Sequence, residues 1–348
     1  MRVAVIPGDG TGPEVVAEAT KVLDAVAVRF GIDIDYEHHE LGGDRYIRTG
    51  EVLPDAELKS LSEVDAILFG AVGHPDVAPG ILERGIIVRL RRDLGQYINL
   101  RPIKLYPGVR GPLRDKNHED IDFVVVRENS EGLYSGQGSF AHHGTADEVA
   151  IEESVNTRHG VERCIRFAFE LALTRPRRHL TMCGKTNILM YAQDLWQRVF
   201  DEVAAEYPDV TTAYAHVDAV CLWMVLAPER FDVIVADNLF GDIITDLGAA
   251  IQGGLGVAVG ANLNPEGVSM FEPIGGTAPD VAGKGKINPL ASIGAAGMLL
   301  THNGQPQAGA VIEAAVARVA GELSSLDAGA MGMTTSEVGD RVVELVAR

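Results

Sequence analysis

Phe231-Asp232-Val233-Ile234-Val235-Ala236-Asp237-Asn238-Leu239-Phe240-Gly241-Asp242-Ile243-Ile244-Thr245-Asp246 decides how the chain is read. Residues 231–236 form a short, apolar, β-branched run, the composition of a buried strand. After the stretch, Leu247, Ala249, Ala250 and Ile251 recur at helical spacing. The acids between therefore sit where a strand ends and a helix begins. Asp242 and Asp246 are four residues apart, so on a helix they project from one face, one turn above the other. Like charges placed this way repel unless something positive lies between them. Hard oxygen donors suit Mg²⁺ or Mn²⁺, which keep several waters and recruit a few carboxylates plus a substrate. The other reading is a pair of solvated surface acids, since charged residues are mostly exposed. The small apolar neighbours suit a cleft better than an open surface.

Outward from this stretch the same alternation recurs. Val3 to Ile6 reads as a strand, residues 7–12 as a turn, and Pro13 and Glu14 as the first turn of a helix running to about Arg29. Proline loses nothing there, and the carboxylate meets the positive end of the helix dipole. Further strands are expected at 32–37, 65–70, 123–127, 180–183 and 212–217, and helices at 161–173, 195–206 and 308–323. Strands alternating with helices predict an α/β fold. The polar, glycine- and histidine-containing stretch 135–148 reads as an arm, of a kind that can exchange between subunits. The turn at 8–13 is not a Rossmann fingerprint, because Pro13 follows Gly8 and Gly10 where a third glycine belongs. No other Gly-x-Gly-x-x-Gly opens a helix with an acid about twenty residues on. Any dinucleotide must bind by another device.

The chain has 348 residues, enough for two lobes with separate cores. Hydrophobic content is 46% and charged content 23%, ordinary for a globular protein. A formal net charge of −19 and a pI near 4.9 argue against nucleic acid and anionic membrane as partners. Three widely spaced cysteines, with no Cys-x-x-Cys, point to a reducing cytoplasm and no structural zinc. No signal peptide is expected, since the chain opens directly on a strand. The greasy tract from 247 to 263 is too broken by glycine to span a bilayer.

Against this acidity, the arginines at 84, 89, 91, 92 and 101 make a positive island. Arginine grips carboxylates bidentately, so the island suits a small polycarboxylate, or else it is a helix face paired with nearby acids. Ile87 and Val88 beside it offer an apolar wall or belong to a helix core. Arg127 stands at a strand end, with Tyr134 in the loop beyond, as a proton donor or as a cap on the core. Lys185 follows another strand; it serves as a base only when desolvated or crowded by cations. Asp218 ends a third strand. Residues 272–289 form a glycine-rich loop whose N–H groups can meet phosphates, or an ordinary surface loop.

Taken together, Gly8-Asp9-Gly10-x-Gly12-Pro13-Glu14, Asn99-Leu100-Arg101-Pro102, Arg127-Glu128, Lys185-x-Asn187, Asp218, Asp237-Asn238-Leu239-Phe240-Gly241-Asp242 and Gly276-Thr277-Ala278-Pro279-Asp280 resemble the β-decarboxylating dehydrogenases. That family acts on 3-isopropylmalate, isocitrate, homoisocitrate and tartrate or D-malate. The likeness covers nearly the whole chain and is nearest to the isopropylmalate branch, with leucine biosynthesis as its setting. Asn129-Ser130-Glu131-Gly132 looks more like the isocitrate and tartrate branches, and Gly275 stands where many members have histidine.

The resemblance implies a two-lobe isopropylmalate/isocitrate dehydrogenase-like α/β fold with the active site in the interdomain cleft. Residues 1–99 and 252–348 would form the NAD-binding lobe, and 100–251 the lobe carrying the dimer interface and arm. It also implies a homodimer with shared sites, located in the cytoplasm. Arg91, Arg101 and Arg127 would grip the carboxylates of a small 2-hydroxy dicarboxylate, with Ile87 and Val88 against its variable group. Asp242 and Asp246 of one subunit and Asp218 of the other would hold Mg²⁺ or Mn²⁺. Lys185 would take the hydroxyl proton and Tyr134 would protonate the product carbon. Gly276, Thr277, Ala278, Pro279, Asp280 and Asn288 would carry NAD, with Asp280 on the adenosine ribose, where an acid disfavours NADP.

Overall fold

The alternation expected from the sequence is realised in the computed structural model, which describes residues 1–348. In chain order the strands are β1 (Arg2–Gly8), β2 (Asp35–His38), β3 (Ala66–Ala71), β4 (Ile98–Lys104), β5 (Asp122–Glu128) and β6 (Gly132–Ala141). They continue as β7 (Val149–Val155), β8 (His179–Gly184), β9 (Thr211–His216), β10 (Val233–Ala236), β11 (Val259–Leu263) and β12 (Ser269–Pro273). The helices are α1 (Gly12–Phe30), α2 (Gly43–Thr49), α3 (Asp55–Leu61), α4 (Arg89–Asp93), α5 (Arg158–Thr174) and α6 (Ala192–Ala204). After them come α7 (Val217–Leu226), α8 (Asn238–Ile251), α9 (Leu290–His302), α10 (Pro306–Glu322) and α11 (Thr335–Val346). No helix is long and apolar enough to cross a membrane.

The chain divides into two compact units. The first comprises Met1–Gln96, Lys104–Ile121 and Ala249–Arg348; the second comprises Tyr97–Ile103 and Asp122–Gly248.

In the first unit the strand order is β2-β1-β3-β12-β11. All neighbours pair in parallel except the β11–β12 hairpin. Every residue of β3 is buried, which is why Ala66 to Phe69 reads as one continuous apolar run rather than an alternation. α1 and α9 pack beside β3, and α10 and α11 complete the layer. The start of α1 lies against β1 and β3 without a side chain between. A Cβ on Gly12 would stand 2.1 Å from the Pro7 carbonyl oxygen, and one on Gly70 would stand 2.2 Å from the same atom.

In the second unit the order is β4-β5-β10-β8-β9, with β5, β10, β8 and β9 parallel. α5 covers β5 and β10 and packs on α6 through Phe169 and Phe200. β6 and β7 pair only with each other as an antiparallel hairpin, and every residue of β7 is exposed. The stretch 135–148 lies within this hairpin, which runs from Gly132 to Val155. Tyr134 falls inside β6 rather than in a loop, in the stretch between the Gly132–Val155 and Gln137–Glu153 pairs where the register shifts.

Gly12→Ala is expected to lower stability by about 1–3 kcal/mol, the usual cost of forcing one extra carbon into a close-packed contact. The reading is a lower denaturation midpoint; an unchanged midpoint would show that the turn opens without cost.

Candidate active site

Phe123 to Val126 are buried, and Arg127 follows at the C-terminal end of β5 with only 3% of its side chain exposed. A guanidinium cannot shed its charge, so its burial demands partners. They come from the first turns of α8. Asn238 Oδ1 accepts from Arg127 Nε at 3.0 Å and from Nη2 at 2.8 Å, while Asp242 Oδ1 accepts from Nη1. Gly241 lies beneath: a Cβ there would stand 2.5 Å from Arg127 Cγ. Asn238 also donates to the Glu131 carbonyl at 3.1 Å. Just before α8, Asp237 accepts from Phe240 N at 2.8 Å, as a helix cap does, and from Gln193 Nε2 at 2.6 Å. Burial pushes the Asp237 carboxyl up to about 6.

Tyr134 reaches the same carboxylate. Its hydroxyl donates to Asp242 Oδ2 at 2.9 Å, and its ring lies under the Arg127 guanidinium, 5.7 Å from ring centre. Burial, and then the Asp242 charge, raise its pKa, so the phenol keeps its proton. Asp246 lies one turn further along α8 and is exposed. Lys185, just past β8, pairs with Asp218 Oδ1 at 2.9 Å in the first turn of α7, and that bond holds the Asp218 carboxyl below its ordinary range. No three His, Cys, Asp or Glu side chains of one chain come close enough to hold a metal ion. Asp242 and Asp246 offer an all-oxygen pair of the kind that suits Mg²⁺ or Mn²⁺. Arg101 is buried on β4, its Nε donating to Asn99 Oδ1 at 2.6 Å.

In the first unit, Glu83–Val88 is a π turn rather than the α-helix expected from spacing, and α4 follows it. Such turns are rare and cluster at functional sites. Ile86 is fully buried, Ile87 packs partly buried against the same core, and Val88 is 43% exposed. Arg91 pairs with Glu272 Oε1 at 3.4 Å, while its Nε is buried with no partner. A buried N–H of this kind is a ready donor to an incoming carboxylate.

The turn at 8–13 serves the glycine-rich loop. Asp9 accepts from Gly43 N at 2.7 Å and Gly73 N at 2.9 Å, and Thr11 N donates to the Thr277 carbonyl at 2.9 Å. A cavity of about 270 Å³ opens here, lined by Thr11, Leu255, Gly256, Gly275, Gly276 and Asn288 among others. A second, of about 260 Å³, is lined by His74, Leu82, Glu83, Thr277 and Pro279 among others. Bare glycine backbone and a small apolar wall fit a nucleotide. The Asn288 side chain is already bonded to the Leu326 carbonyl and to Leu290 N. Ala278 sits at a positive φ of 38°, and Asp280 is exposed outside both linings.

The family model for isocitrate/isopropylmalate dehydrogenases matches residues 2–342. The chain belongs to that family. It is 52% identical over 349 residues to the 3-isopropylmalate dehydrogenase of Thermobifida fusca (strain YX), covering 100% of this chain and 98% of the relative. It is also 52% identical over 351 residues to the enzyme of that name from Corynebacterium diphtheriae, covering all of both chains. Among solved structures, isocitrate dehydrogenase from Methylococcus capsulatus superposes with a TM-score of 0.89 at 36% identity, covering 100% of this chain and 99% of that one. A second solved structure, the TT0538 protein from Thermus thermophilus, gives 0.88 at 34%, covering 100% and 68%. The reaction class is that of a decarboxylating dehydrogenase.

Within this family member, the residues the sequence did not single out are those that hold others in place. Asn238 lay inside the quoted stretch, and its amide beside an arginine at a strand end was the available signal. Asn99, two residues before Arg101, offered the same. The buried carboxylate of Glu128, which burial shifts upward, accepts from Ser130 N and Glu131 N, and nothing in its sequence neighbourhood marks it as a loop brace.

Asp237 gives a pH test. An unfolded aspartate loses its proton near 3.8, but the folded one keeps it to about 6. The folded state thus holds a proton the unfolded state has released, and stability falls as pH rises through that window. Two pKa units correspond to about 3 kcal/mol. Asp237→Asn should remove this slope, so that its stability relative to wild type improves by about 2–3 kcal/mol between pH 4 and pH 7. Parallel denaturation curves across that range would refute the buried-acid reading.

Proposed function

We propose that this chain oxidatively decarboxylates (2R,3S)-3-isopropylmalate to 2-oxoisocaproate with NAD and Mg²⁺ or Mn²⁺, in leucine biosynthesis. The observation that carries the substrate is full-length identity of 52% to enzymes named for it, against 36% for the isocitrate dehydrogenase.

Arg91, Arg101 and Arg127 bind the two carboxylates, and the unmet Nε of Arg91 supports that role. Val88 provides the apolar contact for the isopropyl group, since its side chain is exposed while Ile87 leans on the core. NAD held by the loop from Gly276 to Asn288 would take up the C2 hydride, and a cation held by Asp242 and Asp246 would draw charge onto the C2 oxygen. Lys185 takes the hydroxyl proton. After CO₂ leaves, Tyr134 delivers a proton to the carbon, and its raised pKa suits a donor that must arrive protonated. Glycine backbone at 275 and 276 faces the nucleotide, and Asp280 favours the ribose hydroxyls of NAD over a 2′-phosphate.

The active form is a homodimer in which Asp218 and Lys185 of one subunit complete the other's site. In support, Ile188, Met190 and Tyr191 are 66%, 72% and 92% exposed, and Leu222, Leu226 and Ile243 are at least half exposed. A soluble surface rarely leaves so many large apolar side chains in water without a partner.

The deciding test is kcat/KM for 3-isopropylmalate, D-malate, isocitrate and homoisocitrate at one pH and metal concentration. The isopropyl group gains roughly 0.8 kcal/mol per buried CH₂ against Val88, so 3-isopropylmalate should exceed D-malate by tens-fold. Val88→Ser should narrow that gap, and a tenfold advantage for isocitrate would move the chain to another branch.

Asp242→Asn should remove most turnover at ordinary Mg²⁺ while the protein stays folded, with partial recovery at higher metal. Full activity at ordinary Mg²⁺ would exclude Asp242 as a ligand.

A further inference from the structure

Glu14 lies in the first turn of α1, where a carboxylate meets the positive end of the helix dipole. Its side chain does more than that. Oε1 accepts from the backbone N of Gly283, and Oε2 accepts from the backbone N of Gly285 at 3.0 Å. Both glycines have left-handed φ, 72° and 61°, so the two N–H groups turn to the same side and form a small anion-binding concavity. The chain fills that concavity with its own carboxylate. α11 holds the same segment a second time: Thr335 N donates to the Gly285 carbonyl at 2.9 Å, and Thr335 Oγ1 donates to the Ile287 carbonyl at 2.6 Å. The rest of the glycine-rich loop runs from these anchors back to Gly275 and Gly276 at the cavity, where Thr11 N holds it at the Thr277 carbonyl.

We infer that Glu14 is a positioning residue for the nucleotide: its carboxylate clamps Gly283 and Gly285 and so holds the 276–288 loop in the shape that receives NAD. This rests on the reading that the loop carries NAD. Two N–H bonds to an ionised acceptor are strong enough to set the loop before the nucleotide arrives, so the ordering cost is met in the free protein and not on binding. Lys284 lies between the clamped glycines and Lys286 directly after them, and both report on the clamp, since trypsin reaches a lysine bond only when the backbone around it opens.

The test compares full-length wild type, Glu14→Ala and Glu14→Gln. The readouts are the NADH Kd from fluorescence titration, trypsin cleavage after Lys284 and Lys286, and steady-state kinetics with 3-isopropylmalate. Glu14→Ala should cleave faster in the free protein and weaken NADH by about tenfold. kcat at saturating NAD and KM for 3-isopropylmalate should change by less than about twofold, because the clamp touches neither substrate nor reacting atoms. Glu14→Gln keeps one acceptor and should fall between. Unchanged cleavage in both variants, even with lowered thermal stability, overturns the clamp. Faster cleavage with unchanged NADH affinity overturns the role in nucleotide binding, and would place the fault in the assignment of the loop to NAD.

Discussion

A buried cation governs how the second unit is built. Arg127 is carried to the end of β5 by an apolar run that has no choice but to be interior, and at 3% exposure its guanidinium has left water behind. Desolvating such a charge costs several kcal/mol unless hydrogen bonds replace the lost hydration. The requirement propagates outward. The first turns of α8 must present an oxygen to three of its nitrogens, which Asn238 and Asp242 do. The residue between them must have no side chain, hence Gly241. Asn238 must be held in turn, and the Glu131 carbonyl does so. Because Asp242 is fixed by Arg127 and touched by Tyr134, a carboxylate that would otherwise repel Asp246 can stand one turn from it.

The first unit solves the converse problem, which is to hold glycine backbone rather than a charge. Glycine-rich segments lose more conformational freedom on ordering than any other. Here carboxylates supply the anchorage. Asp9 ties the turn after β1 to Gly43 and Gly73, and Glu14 ties it to Gly283 and Gly285. A turn that superficially resembles a phosphate-binding fingerprint thus spends its acids on protein N–H groups. Its glycines allow close approach of chain to chain, as at Gly10, where a Cβ would stand 2.1 Å from the Thr277 carbonyl oxygen.

How far this was legible follows from the same physics. Buried parallel strands such as β1, β3, β5, β8 and β10 announce themselves as unbroken apolar runs, and the strand-to-helix junction at 236–238 was readable from the change of period. β4 was hidden because Asn99, Arg101 and Pro102 interrupt it, and α9 because its small residues at 291–297 give no amphipathic stripe when nearly all its faces are buried. The β11–β12 hairpin is interrupted by Gly260, Asn262, Asn264, Pro265 and Gly267. The π turn at 83–88 cannot be read from spacing, because its wider turn changes which side chain faces inward. Site residues were visible where chemistry is unusual for the neighbourhood, as with arginines in an acidic chain. They were invisible where a common residue such as Asn238 or Glu14 acts only through another group.

The exposed apolar residues and the acids of the second unit are not independently placed. On α7, Asp218, Leu222 and Val225 are spaced at i, i+4 and i+7, so they share one helix face, and Leu222 and Val225 are 52% and 42% exposed. On α8, Ile243 and Asp246 stand three residues apart with Ile243 half exposed. Covering the half of one such Leu or Ile that is exposed gains roughly 1 kcal/mol. A second copy that buries these side chains must therefore carry Asp218, and the Lys185 paired to it, into the same interface. The proposed dimer and the proposed metal role of Asp218 draw on one placement: the helix face that exposes Leu222 and Val225 also carries Asp218. Within one chain, Lys185 on Asp218 and Arg127 on Asp242 give the two acids their counter-charge.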